Sequence, residues 1–241
     1  MRFASFLSPS LEFFYRGSVE HIGKRLGIDT EFVVGTDYGQ FERGEIDAGF
    51  ICGLPYVRLA HIVEPVVAPV VDQPRYEGRP VYFSDVVVAQ DHRAASFRDL
   101  RGASWCYNEP NSHSGYLTVL RHLGEMGETT AFFSRFDPTG FHTRSIELVA
   151  EGVYDASAID SHVLAVLRPE GLRVIDTIGP SPIQPFVAGA HLAPDLREAM
   201  AEALVSMSGP ILEDALVSRY VRVTDANYAS IRDAACRFLG V

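Results

Sequence analysis

The chain has 241 residues, 47% of them hydrophobic and 22% charged, with a formal net charge of −10. That is enough apolar material for one large domain or two smaller lobes. The lack of clustered Lys or Arg speaks against nucleic acid or an anionic membrane as the main partner.

The opening MRFASFLSPSLEFF is no convincing export signal, because Ser5, Ser8, Pro9 and Glu12 break its apolar run. No stretch approaches the ~20 apolar residues of a membrane span. The sequence as it stands is expected to be cytoplasmic, or periplasmic if a leader has been removed. Cys52, Cys106 and Cys236 show no CxxC or metal spacing and read as buried thiols.

Arg2–Phe6 reads as a first strand, with Ser8-Pro9-Ser10 as the turn after it. Val19, Ile22 and Leu26 then share a helix face that Gly27 ends. Glu31–Val34 and Ala48–Ile51 read as strands, and Pro69–Pro80 as a loop. Val81–Ala89 is a long β-rich run, Ser96–Leu100 a short helix, and Trp105–Tyr107 a further strand. Tyr116, Leu120 and Leu123 give helical spacing up to Gly124. From Ala193, an Ala-Pro-Asp start leads into a stripe of Leu196, Met200, Ala203, Leu204 and Met207. Repeated β-then-α units imply an α/β fold with a mainly parallel sheet.

Two segments echo each other without a gap: FERGEIDAGFI (Phe41–Ile51) and VAEGVYDASAI (Val149–Ile159). Gly44 matches Gly152, Asp47 matches Asp155, Ala48 matches Ala156 and Ile51 matches Ile159. Each is a helix stopped by glycine, a turn set by aspartate, then a buried strand. Chance repetition within one α/β domain and two similar lobes both account for the echo. With two lobes, the chain would cross near Tyr82–Ala89 and return along the proline-stiffened Pro180–Val187. The lobes would then comprise residues 1–81 with 188–241, and residues 82–187.

The stretch NEPNSHSGYL (Asn108–Leu117) packs Ser112, His113, Ser114 and Gly115 where a helix begins. Neighbouring Ser and His side chains diverge, and the nucleophile elbow G-x-S-x-G is absent, so nucleophilic hydrolysis is disfavoured. The eight histidines show no HxxxH or HxH spacing. No GxGxxG or Walker loop supports a nucleotide cofactor, and no cofactor is expected. Free N–H groups at a helix start favour an anion. The serine hydroxyls add donors, glycine admits a ligand close to the backbone, and His113 adds a donor, with a charge if protonated. Plain N-capping needs only one serine, and residue chemistry leaves capping and anion binding level.

NEPNSHSGYL also resembles the DPNSTSGYL-like segment of the phosphonate/phosphate/phosphite substrate-binding proteins of ABC transporters. Gly44–Ala48 followed by Leu54-Pro55-Tyr56-Val57 is similar to that family's G-x-x-D and Y-V segment, and Tyr82-Phe83-Ser84 to its Y-x-S crossing. Phe97–Gly102 resembles its L-x-D-L-x-G turn, Gly152–Asp160 its second-lobe strand, and Asp225–Ile231 its C-terminal tail. The resemblance implies an α/β fold of two similar lobes with a ligand cleft between them, of the type 2 periplasmic-binding-protein kind. It further implies a solute-binding protein for a small oxyanion such as phosphate, phosphite or a phosphonate, with an ABC permease or a signalling partner.

Carried over to this chain, the ligand contacts implied are Ser112, His113, Ser114 and Gly115, with Tyr56, Tyr82, Ser84, His142 and Asp160 around them. Asp160 would accept a proton from a protonated oxyanion or pair with a ligand amine. His113 replaces the small Thr common in this loop. The rival expectation is a cytoplasmic enzyme or ligand sensor reusing the cleft for a small anionic metabolite, with Asp160, His142 or His113 as acid–base groups.

Overall fold

The structure, a computed structural model, describes residues 1–240. The chain opens with β1 (Arg2–Ser5), α1 (Glu12–Leu26), β2 (Glu31–Val34), α2 (Gly39–Glu42), β3 (Ala48–Phe50), α3 (Gly53–Leu59) and β4 (Val63–Val71). It continues through β5 (Val81–Ala89), β6 (Ser104–Tyr107), α4 (Thr118–Glu125), β7 (Arg135–Pro138), α5 (His142–Ala150), β8 (Ala156–Asp160), α6 (Ser161–Leu167) and β9 (Leu172–Pro182). It closes with β10 (Phe186–Gly189), α7 (Pro194–Val205), α8 (Pro210–Asp214), β11 (Val217–Arg222) and α9 (Ala229–Leu239).

Two compact units result, one from Met1–Val81 with Pro182–Arg232, the other from Tyr82–Ser181 with the tail from Asp233. The return to the first unit falls at Pro182 rather than at 188, because β10 pairs with β3 and β4 of the first unit's sheet. The end of the chain also divides differently from the expected 188–241 segment, since its tail groups with the second unit.

The first sheet runs β11-β4-β10-β3-β1-β2 and the second β7-β6-β8-β5-β9. In each, three neighbouring strands are parallel (β3-β1-β2 and β7-β6-β8), and the strand beyond β3 or β8 runs antiparallel. The gapless echo is therefore topological. Gly44 and Gly152 both stop a helix with positive φ, 66° and 70°, a region glycine enters without a Cβ penalty.

The aspartates that follow do the same work twice. Asp47 Oδ2 accepts from the Arg2 N–H at 2.7 Å, and Asp155 Oδ2 from the Ser104 N–H at 2.7 Å. Each carboxylate thus fixes the first residue of the adjoining parallel strand. Each also faces an imidazole: His191 Nε2 lies 3.5 Å from Asp47, and His92 Nε2 lies 3.4 Å from Asp155.

Three expectations need correction. Pro69 lies within β4, not in a loop. This interior strand tolerates Pro65 and Pro69 beside register shifts in its pairing with β10 and β11, where a ladder bond is already interrupted. Cys236 is exposed, while Cys52 and Cys106 are buried. The helix after β6 does not begin as an α-helix, a point taken up with the site. Of the stripe read after Ala193, Met200, Ala203 and Leu204 of α7 and Met207 beyond its end are buried, while Leu196 is half-buried.

Candidate functional site

The site grows from one face of the second sheet. Along β5 and β8 the paired residues are Val88 with Ala156, Val86 with Ala158, then Ser84 with Asp160. The first two pairs share a core with Val119 and Leu123 of α4. Directly opposed residues point to the same side of a sheet, so the face turns from apolar to polar as it nears Ser84 and Asp160. Tyr82, two positions before Ser84, lies on that same side.

Above this polar end the chain enters its helix through a π-turn at His113–Leu117. The Leu117 N–H reaches back to Ser112 O at 3.1 Å, and Ser112 Oγ caps the turn by accepting from the Gly115 N–H at 3.0 Å. A π-turn inside an α-helix is uncommon and recurs at functional sites. Here it leaves the early N–H groups pointing out of the helix start, where negative charge is favoured. Gly115 is obligatory for a steric reason: a Cβ there would lie 2.1 Å from Asn108 Oδ1.

Most of the side chains expected from the sequence converge here. Tyr82 Oη and His113 Nδ1 are 2.7 Å apart. Ser112 Oγ lies 3.3 Å from Ser114 Oγ, which lies 3.0 Å from His142 Nε2. His142 opens α5, whose approach is held by the Gly140 N–H donating to Asn108 O at 2.7 Å. Asp160 is the N-cap of α6, accepting from the N–H groups of His162 at 2.8 Å and Val163 at 3.5 Å.

Tyr56 belongs to the first unit, where its hydroxyl donates to Asp225 Oδ1 at 2.6 Å; Arg232 bonds the same carboxylate. The tyrosine's one proton is thereby committed.

Both imidazoles are neutral at pH 7. Burial, reinforced by the charge of Arg121, pushes His113 down to about 3, and burial pushes His142 down to about 4. The positive charge considered for His113 is therefore not supplied. Glu109, in the same loop, is shifted up by burial.

Several buried polar atoms have no protein partner: Ser84 Oγ, His142 Nδ1 and Asn108 Oδ1. Such atoms are rare in native folds unless water or a ligand completes them. Among the described residues no cluster of His, Cys, Asp or Glu is placed to hold a metal ion.

Sequence reasoning missed Thr118, whose Oγ1 donates to His113 O at 2.8 Å, and Ser161, whose Oγ accepts from the Phe83 N–H at 3.0 Å. Each adjoins an expected element, Thr118 continuing the helix start and Ser161 following Asp160. Proximity was the only signal.

The two mixed sheets, each with helices on its faces, define a type 2 periplasmic-binding-protein-like fold. A Pseudomonas aeruginosa binding protein component of an ABC phosphonate transporter superposes with TM-score 0.84 at 16% identity, covering 99% of this chain and 86% of that one. A Prochlorococcus marinus protein solved in complex with methylphosphonate gives TM-score 0.88 at 15% identity, covering 100% of this chain and 98% of that one. The periplasmic aliphatic sulphonate binding protein of Escherichia coli gives 0.65 at 16% identity, with 100% and 86% covered.

The sequence itself settles the family. Residues 3–228 match the profile of the ABC transporter phosphonate periplasmic substrate-binding proteins, and the chain belongs to that family. Its role is accordingly that of a substrate-binding protein of an ABC transporter. No helix among the described residues is long and apolar enough to cross a membrane.

Proposed function

We propose that the protein captures a small phosphorus oxyanion (phosphate, phosphite or a phosphonate) at the start of the helix that follows β6 and delivers it to an ABC permease. The observation that carries this reading is the set of buried, unpartnered polar atoms beside the serine loop, Ser84 Oγ and His142 Nδ1 in particular. An oxyanion supplies several acceptor oxygens to the Ser112 and Ser114 hydroxyls and to the N–H groups of the π-turn. Tyr82, Ser84, His113 and His142 complete the ring of contacts, with Gly115 making room for the Asn108 side chain that packs against the turn.

Tyr56 is not among the donors, since its hydroxyl proton is given to Asp225. Capture takes place in the periplasm, as for the family.

A catalytic reading would have to rest on Ser114 and His142, 3.0 Å apart. A working nucleophile–base pair needs the base oriented by a third group, and His142 Nδ1 has no partner. We therefore favour binding over catalysis.

Thermal unfolding with phosphate, phosphite, methylphosphonate and aminoethylphosphonate tests the reading. At a hundred times its Kd a ligand adds about 2.7 kcal/mol, which raises Tm by about 5–10 °C for a chain of this size. No shift with any of the four would refute it.

A further inference from the structure

We propose a second ligand site, separate from the serine loop, that takes a small carboxylate whose apolar body is about the size of a phenyl ring. It lies wholly within the second unit. Val87 of β5, Leu164 of α6, and Leu172 and Val174 of β9 line a pocket of about 180 Å³ together with Arg168 and Arg173.

Strand alternation sets this pocket on the other side of the sheet from the serine loop. Val86 and Val88 share a core with Val119 and Leu123 of α4, and β5 pairs with β8 without a break from Ser84 to Val88. The Val87 side chain between them therefore points the opposite way. The rim is open because β9 is the edge strand of its sheet, and Val174 is 47% exposed. An aliphatic cavity of about 150 Å³ is enough to hold benzene, so the volume suits one ring or a short branched chain.

The charge at the rim decides what that body carries. Arg173 is anchored by the backbone: its Nε donates to Gln90 O at 3.3 Å, and one terminal nitrogen donates to His92 O at 2.5 Å and Ala94 O at 2.6 Å. Its other terminal nitrogen is left over. Arg168 donates only from Nε, to Ala165 O at 3.4 Å, which leaves both of its terminal nitrogens. Among the described residues neither guanidinium pairs with a carboxylate, and Glu170, between them in the chain, pairs with neither. On α5, by contrast, Arg144 is paired with Glu147 at 2.9 Å.

Arg168 is also an unexpected residue for its place. It ends α6 in the left-handed region, with φ 46°, where glycine is the usual residue and where Gly27 ends α1. A side chain there is held against the backbone's preference, a pattern that recurs at ligand sites. A guanidinium fork matches the two oxygens of a carboxylate, and the apolar walls bury the body behind it. An inorganic anion would leave those walls wet, and a neutral hydrocarbon would leave two cations unpaired. A carboxylate on an apolar body satisfies both.

The experiment is a methyl NMR titration of the full chain with benzoate, using benzamide as the neutral isostere, on the wild type and on Arg168→Asn. Asparagine enters the left-handed region readily, and a melting curve checks that the variant is folded. Benzoate should give saturable shifts at the methyls of Val87, Leu164, Leu172 and Val174, while Val119 and Leu123 on the other face stay still. Benzamide should bind about tenfold weaker or worse, and Arg168→Asn should weaken benzoate by a similar factor, as expected for losing a hydrogen bond to a charged group.

The absence of saturable shifts at the four methyls overturns the proposal, as does benzamide binding as tightly as benzoate; both are read on the wild type, whether or not the variant folds. A folded Arg168→Asn with unchanged benzoate affinity overturns it too. Displacement of benzoate by methylphosphonate would overturn it by placing the carboxylate at the serine loop. None of the expected shifts requires methylphosphonate to bind, so failure of the oxyanion reading leaves this test intact.

Discussion

The two units use one plan at the base of their sheets and different chemistry at the top. At the base, Asp47 and Asp155 each hold the first residue of a central strand and each face a histidine. At the top, the segments after β1 and β6 both carry Ser-x-Ser before a helix. In the first unit this is Ser8-Pro9-Ser10, whose half-buried hydroxyls bond each other at 2.8 Å at the start of a short 3₁₀ turn over Pro9–Leu11. In the second it is Ser112-His113-Ser114, buried within a π-turn and joined to His142 and Tyr82. In the first unit the middle position is proline, which brings no donor of its own. On the proposed oxyanion reading, histidine in the middle position, a wider turn and unpartnered neighbours put the binding chemistry in the second unit. Duplicated scaffolding therefore does not imply duplicated function.

Acid should expose this difference most strongly. Burial lowers His113, His122 and His142, all in the second unit, below their ordinary 6.5. The unfolded chain then binds more protons than the folded one below pH 6.5, so stability is full above that pH. It falls as pH drops toward about 4 and 3, the shifted values of His142 and His113. Each fully shifted group contributes about 1.4 kcal/mol per pH unit in that window, so the pair should cost a few kcal/mol by pH 5. Hydrogen exchange from pH 7 to pH 5 should show the second unit losing protection first. Simultaneous loss in both units would break the comparison.

The shared base predicts a smaller, matched effect. Asp47→Ala and Asp155→Ala each strip a strand's first N–H of its acceptor and should cost about 1–3 kcal/mol in denaturant melts, with ligand affinity unchanged within a few-fold. Asp155 should cost more, because it also accepts from Ser104 Oγ at 2.6 Å. A loss of binding comparable to a loop variant would show that the base and the site are not separable. Tyr56→Phe should do least, costing about 1 kcal/mol or so by deleting one hydrogen bond to Asp225, with affinity nearly intact. A large affinity loss would restore Tyr56 as a ligand donor.

Much of this was legible because it is local or periodic. The Gly44/Gly152 and Asp47/Asp155 echo reads directly in the sequence, since a left-handed stop and a carboxylate turn each need a particular residue. The serine loop stood out as crowded donors before a helical pattern. What was hidden depends on distant partners. Pro65 and Pro69 disguised β4, whose irregular pairing with β10 and β11 no local pattern reveals. The π-turn arises from backbone bonding that Ser112 and Gly115 permit but do not announce. Ser114 meets His142 across 28 residues, and the burial that neutralises His113 and His142 comes from the whole unit packing around them.

The most direct test compares the two serine pairs. Calorimetry with methylphosphonate should be run on Ser112→Ala/Ser114→Ala and on Ser8→Ala/Ser10→Ala. Each lost hydrogen bond to a charged ligand is worth about 1.5–3 kcal/mol, so the second-unit pair should weaken binding by about a hundredfold or more. The first-unit pair should leave affinity within a few-fold of the wild type. Binding that survives the second-unit change and collapses with the first-unit one would contradict the account.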